Sequence, residues 1–260
     1  MSTNLIANAI VRPPSRNFAD GQTGSLLGKP NYTLALEQHA AYCRALEECG
    51  VSLTHLAADA RYPDSTFVED TAVLTQHGAV ITRPGESSRL GEIDEMKDVL
   101  RERFAQVHEI REPGTLDGGD VCKAGDKFFI GISGRTNEAG AQQLAGFLAE
   151  FGYASTLIDI RGLSNILHLK TGIACLGDNR ILAVDELKDS EQLSGYNLVR
   201  VSATEAYAAN CLFLNGRLLI AAGFPEIRQR LQELNYKTIE LEMSEFEKMD
   251  GGLSCLSLRF

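Results

Sequence analysis

The 260-residue sequence lacks the features that mark membrane and secreted proteins. It contains no tryptophan, and no apolar run approaches the roughly eighteen residues of a transmembrane helix. The N-terminus has no basic segment followed by a long apolar stretch, as a secretory signal would have. We therefore expect a soluble, cytoplasmic protein without a membrane partner.

Cysteine and histidine are present, but not at the spacings of metal sites. The six cysteines include no C-x-x-C pair, and the five histidines show no H-x-x-H or H-E-x-x-H arrangement. In a reducing compartment we interpret the cysteines as free thiols. We expect neither a metal ion nor an organic cofactor.

Basic residues are outnumbered by acidic ones, 25 to 35, which gives a formal net charge of −10. Nucleic acids and anionic membranes bind clustered lysine and arginine, so neither is an expected partner. A small cationic substrate is compatible with this charge.

Strand, turn and helix signals recur along the chain at intervals of about fifty residues. Each unit is predicted as strand, tight turn, strand, helix and strand, and Asn215-Gly216 is the strongest turn signal. The units cover residues 67–110, 118–160, 167–201 and 210–241, and a fifth combines residues 253–258 with the N-terminal strand 5–11 and a helix over 32–48 capped by Asn31.

A polar residue opens each unit, at intervals of 42 to 50 residues. A ring of five such units would gather these residues around one axis, although each could also simply begin a strand. The five are Asp70, Asp120, His168, Asn210 and Cys255.

The C-terminal segment places a thiol where a strand is predicted to begin. Gly251 and Gly252 permit a tight turn, and Leu253, Cys255 and Ser257 then alternate with their neighbours as in a short strand. The alternative is a buried core cysteine. The glycine-rich loop 20–30 is predicted to be either a connector or a mobile cover over a site.

Eight segments in order along nearly the whole chain carry a family resemblance: residues 26–30, 63–70, 82–89, 113–120, 134–137, 167–170, 209–211 and 250–255. They resemble the dimethylarginine dimethylaminohydrolases of the guanidino-group-modifying superfamily. The resemblance implies an α/β fold, a five-bladed α/β propeller of repeated ββαβ units around a pseudo-five-fold axis, forming one catalytic domain over residues 1–260. The family also suggests a homodimer.

The resemblance assigns Cys255 as the nucleophile, His168 as the general acid and base, and Asp117 as the carboxylate that orients the imidazole. Some bacterial relatives carry glutamate in place of Asp117. The implied substrate-binding residues are Asp70 for the guanidinium, Asp64, Phe67 and Glu69 in the same pocket, Arg89 and Arg135 for the α-carboxylate, and the backbone carbonyls of Leu27 and Met249 for the α-amino group.

The implied reaction is hydrolysis of Nω-methylated arginines, asymmetric dimethylarginine and monomethylarginine, to citrulline and dimethylamine or methylamine through an S-alkylthiouronium intermediate. A thiol with a pKa near 8.5 is mostly protonated at neutral pH, a handicap of about 2 kcal/mol. A substrate cation about 4 Å away would attract the thiolate by roughly 4 kcal/mol at an effective dielectric of 20. Substrate binding can therefore activate the nucleophile.

Other functions remain open. An arginine or agmatine deiminase, or an amidinotransferase, would use the same fold and thiol chemistry, although arginine deiminases carry an inserted helical region. A non-catalytic binder of arginine derivatives would not need the thiol. Taken singly, Arg89 and Arg135 could be surface charges, and Phe67 and His168 could be core residues.

Overall fold

The architecture, taken from a computed structural model that describes residues 5–163 and 165–260, is a mixed α/β fold of small sheets. In these residues the strands form five sheets of three strands each. The strands are β1 Asn8–Val11, β2 Ser52–His55, β3 Ala72–Leu74, β4 Ala79–Ile81, β5 Val107–Glu109, β6 Val121–Ala124, β7 Lys127–Ile132, β8 Ala154–Asp159, β9 Ile173–Gly177, β10 Arg180–Val184, β11 Asn197–Val201, β12 Leu212–Leu214, β13 Arg217–Ala221, β14 Lys237–Leu241 and β15 Ser257–Arg259.

All five sheets share one strand pattern. The central strand is antiparallel to one neighbour through a hairpin or a chain end, and parallel to the other through a crossover. The orders are β15-β1-β2, β3-β4-β5, β6-β7-β8, β9-β10-β11 and β12-β13-β14. The predicted pairing of the two chain ends in a fifth unit is confirmed, because β15 pairs with β1.

Four of the crossovers contain a helix, and these helices begin close to their predicted starts at residues 32, 91, 137 and 225. Asn31 caps the first helix through a hydrogen bond from the Leu34 N–H to its side-chain oxygen, and Asn137 caps the third through Gly140. The helices are α1 Tyr32–Glu48, α2 Ile93–Arg101, α3 Glu138–Glu150, α4 Leu169–Gly172, α5 Pro225–Glu233 and α6 Ser244–Glu247. None of these is long and apolar enough to cross a bilayer.

Secondary-structure predictions are wrong at one crossover and at the starts of several repeat units. The crossover between β10 and β11, predicted as a short helix, consists of the 3-10 turns Asp185–Leu187 and Glu191–Leu193. Residues 67–71 and 118–120, predicted as strand, also lie in or next to 3-10 turns. In the first of these turns the Thr71 hydroxyl donates to the Val68 carbonyl. The Asp70 and Asp120 side chains instead accept backbone N–H groups of other segments, from Gly119 and Leu169.

Apolar side chains bury the sheets against their helices. The largest fully buried side chains include Tyr42, Phe18, Phe128, Phe129 and Phe246. The turn before β13 has positive φ at both Asn215 (48°) and Gly216 (81°), as its sequence predicted.

Candidate active site

Cys255 lies in a 3-10 turn, Ser254–Leu256, directly before β15, and not within the strand as its alternation suggested. The residue is partly exposed, and its Sγ accepts a hydrogen bond from the Gly252 N–H at 3.4 Å. Burial, followed by the charges of Glu69 and Asp70, raises the pKa of the thiol to about 12. Without a bound cation the thiol is therefore protonated at neutral pH.

The two glycines before Cys255 serve close packing. A Cβ on Gly251 would lie 2.2 Å from Cε1 of Phe67, and one on Gly252 would lie 2.5 Å from Cγ of Asn210. The left-handed residue of the turn is Asp250, with φ 56°. Glycine is needed at these two positions because a side chain at 251 would displace the Phe67 ring and one at 252 would displace Asn210.

His168 precedes α4 and is not on a strand, so the strand interpretation of this residue is wrong. Its Nε2 lies 3.1 Å from Oδ2 of Asp117, and the other Asp117 oxygen accepts the Gly85 N–H at 2.8 Å. Burial alone would raise the pKa of the Asp117 carboxyl, but the bond and charge of His168 hold it below its usual value. Asp117 is thus an ionised carboxylate, and its hydrogen bond fixes the orientation of the His168 imidazole.

Asp70 completes the acidic side of the site. Its Oδ1 accepts the Gly119 N–H at 2.8 Å, and its Oδ2 accepts Nη1 of Arg89 at 2.6 Å. Side-chain ligand atoms of Asp70, Asp117 and His168 all lie within 4.8 Å of one another.

The carboxylates around His168 determine its charge. Burial would lower the pKa of the imidazole, but Asp70, Asp120 and Asp117 together outweigh it and raise the pKa to about 9. The imidazole is therefore protonated at neutral pH. The same three groups (Asp70, Asp117, His168) could accommodate a cation, but the protonated imidazole and its bond to Asp117 favour proton transfer over metal binding.

Asp64 and Phe67 lie in the same part of the structure, as predicted. Asp64 accepts the Gln22 N–H through both oxygens, at 3.2 and 3.1 Å, and burial raises its pKa. The Phe67 ring packs on Phe18 and Phe246, with centroids 5.9 and 6.3 Å apart. Phe67 is thus both a core residue and a neighbour of the Cys255 segment.

The Glu69 carboxylate, predicted to line the pocket, is occupied by protein donors. Its Oε2 accepts a hydrogen bond from Oγ of Ser254 at 2.7 Å, and its Oε1 accepts one from Nη2 of Arg259 at 2.8 Å. Nζ of Lys170 forms an ion pair with Oε1 at 2.7 Å. A direct contact of Glu69 with substrate stays a prediction.

The two predicted carboxylate-binding arginines differ in environment. Arg89 is buried and donates to Asp70, to both oxygens of Glu92 and to the Phe67 carbonyl. Arg135 is partly exposed, and its Nη1 lies 3.2 Å from Oε2 of Glu86. Arg135 has more donors free for a ligand than Arg89.

Leu27 and Met249 lie on two segments that contact each other. Leu27 is 58% exposed in the loop before α1, whereas Met249 is buried. The loop is tied to the Met249 segment because Oδ2 of Asp250 accepts Oγ1 of Thr23 at 3.0 Å and the Gly24 N–H at 2.6 Å. The loop, predicted to be either a connector or a mobile cover, thus lies beside the Cys255 segment.

Asp120 and Asn210 were predicted to gather with Asp70, His168 and Cys255 around one axis, but no chemical role was assigned to them. Lys170 and Ser254 were not singled out, and their only signal was their proximity in sequence to His168 and Cys255. Asp120 accepts the Leu169 N–H at 2.9 Å and the hydroxyls of Ser133 and Thr136 at 2.7 Å. It supports the turn that carries His168.

Two open clefts lie away from these residues. One, of about 510 Å³, is lined by residues including Arg200, Glu205 and Arg230, and another, of about 470 Å³, by residues including His108 and Phe147. Neither is lined by a predicted site residue. The candidate site is therefore the group of Asp70, Asp117 and His168 near Cys255, and not either cleft.

Comparison with known proteins agrees with this geometry. The arginine deiminase family model matches residues 60–213. The N(G),N(G)-dimethylarginine dimethylaminohydrolase of Pseudomonas aeruginosa is 43% identical over 98% of this chain and 100% of its own, and that of Streptomyces coelicolor is 36% identical over 96% of each. The chain belongs to the dimethylarginine dimethylaminohydrolase family.

Solved structures extend the similarity to three dimensions. One solved structure is a cysteine-to-serine mutant of the Pseudomonas aeruginosa enzyme complexed with citrulline. It is 42% identical to this chain with a TM-score of 0.95, and the match covers 98% of this chain and 100% of that one. The N-terminal domain of a cyanobacterial arginine dihydrolase has a TM-score of 0.88 at 19% identity, covering 98% of this chain and 97% of that one. The second similarity shows the fold alone.

Proposed function

We propose that the protein hydrolyses Nω-methylated arginines, asymmetric dimethylarginine and monomethylarginine, to citrulline and dimethylamine or methylamine. The observation that carries this is the paired His168 and Asp117 beside Asp70, with the Cys255 thiol in the same acidic surroundings. The relatives named for this reaction, one of them complexed with citrulline, support the choice of substrate.

In the proposed first step, the substrate guanidinium binds against Asp70, and Cys255 attacks its central carbon. Each Asp70 oxygen has a lone pair left beyond its bonds to Gly119 and Arg89, so it can accept guanidinium N–H groups. The cation lowers the cost of ionising the thiol, whose proton leaves to solvent. A carbon–sulfur bond forms and gives a tetrahedral adduct.

His168 then acts twice. As the imidazolium it protonates the departing methylamine nitrogen, and the carbon–nitrogen bond breaks to leave an S-alkylthiouronium on Cys255. The neutral imidazole next takes a proton from water, and the hydroxide adds to the same carbon. The carbon–sulfur bond then breaks while the hydroxyl proton passes to the departing sulfur, which releases neutral citrulline and restores the Cys255 thiol.

The other binding residues are proposed from the resemblance and their positions. Arg135 and Arg89 would hold the α-carboxylate, and the carbonyls of Leu27 and Met249 the α-amino group. Asp64, Phe67 and Glu69 would line the pocket.

We also propose that the five sheets are the blades of a five-bladed α/β propeller around a pseudo-five-fold axis, forming one domain over residues 1–260. The common strand order and the pairing of β15 with β1 support this arrangement. The gathering of Asp70, Asp120, His168 and Asn210 near Cys255 supports it too. A cytoplasmic location is supported by six free thiols, and the homodimer stays a prediction.

Product analysis tests the function. Asymmetric dimethylarginine, monomethylarginine, arginine and agmatine are supplied at equal concentration, and citrulline or carbamoylputrescine is measured. We expect the methylated arginines to react fastest, because each buried methyl contributes about 0.8 kcal/mol. Faster release from arginine would indicate a deiminase, carbamoylputrescine an agmatine enzyme, and binding without product a non-catalytic binder.

Matched cysteine variants identify the nucleophile. Cys255→Ser should bind substrate without turnover, since a hydroxyl is far harder to ionise than a thiol. Cys175→Ser, which changes another partly exposed thiol, should keep full activity. Retained turnover in Cys255→Ser would reject the assignment.

A further inference from the structure

Three donors from different parts of the chain meet on one buried carboxylate. Glu69 is 3% exposed, and it accepts hydrogen bonds from Ser254 at Oε2 and from Arg259 at Oε1. Its Oε1 also forms an ion pair with Nζ of Lys170 at 2.7 Å. A buried carboxylate with three such partners is held rigidly, because losing any of them leaves charge without compensation.

Two of these donors belong to the segments that carry the reacting groups. Ser254 immediately precedes Cys255, and Lys170 follows His168 by two residues. The hydrogen bond from Ser254 Oγ and the ion pair with Lys170 Nζ, at 2.7 Å each, therefore connect the nucleophile segment to the imidazole segment through the Glu69 side chain.

Asn210 connects the same two segments a second time. Its Oδ1 accepts the Ser254 N–H at 2.9 Å, while its Nδ2 donates to Oγ of Ser254 and to the Lys170 carbonyl, at 3.1 Å each. The contact leaves no room for a Cβ at Gly252. Asn210 thus binds the Cys255 turn through both the backbone N–H and the side-chain hydroxyl of Ser254.

Arg259 secures the far end of that turn. Besides Glu69, it donates through Nη1 to the carbonyls of Ser254 and Ser257, at 2.9 and 2.8 Å. The Ser257 hydroxyl in turn lies 2.6 Å from the Tyr42 hydroxyl, which is buried in the core. The turn is therefore connected through Arg259 to the packed interior.

We propose that Glu69 is a positioning residue, which holds Cys255 and His168 at a fixed separation by binding Ser254 and Lys170. The inference rests on the proposed function for the roles of Cys255 and His168. It adds a second role to the proposed place of Glu69 in the pocket lining, because both carboxylate oxygens bind protein donors.

The same cluster sets charges near the thiol. The charged groups that act on Cys255 are the anions Glu69 and Asp70 and the cation Lys170, and the Gly252 N–H donates to it. Removing Lys170 should therefore disfavour the thiolate, whereas neutralising Glu69 should favour it. A cluster that only stabilised the fold would not give opposite signs.

The first test separates positioning from binding. Ser254→Ala removes a hydrogen bond to a buried charge, so we expect kcat to fall about ten- to a hundredfold while KM changes less than about twofold. Ser194→Ala, which removes an exposed serine hydroxyl bonded to Glu191, is the matched control and should retain kcat. An unchanged kcat in Ser254→Ala, or a change confined to KM, would overturn the proposal.

The second test needs no substrate, so it remains valid if the proposed function fails. The rate at which iodoacetamide alkylates Cys255 is followed by mass spectrometry at fixed pH. We expect Lys170→Met to react several-fold more slowly and Glu69→Gln several-fold faster than the unmodified protein, since one pKa unit changes the thiolate fraction about tenfold. Lys170→Arg should restore most of the rate.

Lys188→Met is the matched control, because Lys188 pairs with Asp185 away from the site. It should not change the alkylation rate. Equal rates in all variants, or shifts of the same sign in Lys170→Met and Glu69→Gln, would overturn the proposed cluster. If Glu69→Gln does not fold, the comparison of the two lysine variants is sufficient. Equal alkylation rates in Lys170→Met and Lys188→Met would then overturn the proposed cluster.

Discussion

The two reacting side chains respond oppositely to the same acidic surroundings. Asp70 helps to raise the pKa of His168 to about 9, and it also helps to raise the pKa of Cys255 to about 12. A carboxylate stabilises the protonated imidazole but opposes a thiolate. The resting site is therefore a neutral thiol beside an imidazolium, ready to protonate a leaving amine once a cation binds.

His168 should make stability depend on pH. Because its pKa is raised from about 6.5 in the unfolded chain to about 9, its contribution is complete below pH 6.5 and is lost as pH rises through 9. Relative to His168→Asn, the protein should lose on the order of 3 kcal/mol of unfolding free energy across that window. Urea unfolding at pH 6 and pH 9.5 measures this loss of unfolding free energy, with His77→Asn as the control. If the difference in unfolding free energy between the protein and His168→Asn is the same at both pH values, the pKa shift of His168 is contradicted.

The two arginines should respond differently to truncation. Arg89→Ala would leave Asp70 and Glu92 buried without their cation, a loss of about 3–5 kcal/mol of stability. Arg135→Ala breaks a partly exposed pair, so it should change the melting temperature little but lower kcat/KM for α-amino acid substrates about tenfold or more. Thermal melts and kinetics with dimethylarginine check both, and an unchanged kcat/KM in Arg135→Ala would place the carboxylate elsewhere.

At the scale of elements, short turns before the strands carry the chemistry. Asp70, Asp120 and Cys255 lie in 3-10 turns that lead directly into β3, β6 and β15. Strands give the turns rigid ends, while the turns themselves let a polar side chain leave the strand's alternation. This is why the strand pattern located the residues but misassigned their backbone.

The glycine turn before Cys255 should be intolerant of a methyl group. Gly251→Ala would place a Cβ against the buried Phe67 ring, which we expect to cost about 1–3 kcal/mol through overpacking. Gly146→Ala, on the exposed face of α3 with open space around it, should instead stabilise by about 0.5–1 kcal/mol. Chemical denaturation compares the two; equal effects would show that the Phe67 contact is unimportant.

At the scale of the whole molecule, the chain ends are joined in one sheet. Ala9, Ile10 and Val11 of β1 pair with Arg259, Leu258 and Ser257 of β15. Opening this sheet would detach the Cys255 turn as well as both termini. The strand pairing therefore couples the integrity of the fold to the geometry of the site.

We expect one cooperative unfolding transition as a consequence. Far-UV circular dichroism reports the sheets, and tyrosine fluorescence, which no tryptophan obscures, reports the packing. The two urea transitions should coincide. Separate midpoints would indicate that residues 1–260 contain more than one folding unit.

Local patterns in the sequence determined the order of most elements, the helix start capped by Asn31, and the turn at Asn215. These depend on neighbouring residues, so a single sequence contains the information. The motifs around Cys255, His168 and Asp117 likewise pointed to the site through resemblance.

Only the tertiary structure decided how the charges are paired. Glu69 and Ser254 are 185 residues apart in sequence, and the Asp70–Arg89 pair is buried where an exposed arginine was also conceivable. Such pairs leave no trace in local periodicity, because they depend on which turns the sheets bring together. The state of the thiol and imidazole follows from the same long-range packing, since burial and surrounding carboxylates set both pKa values.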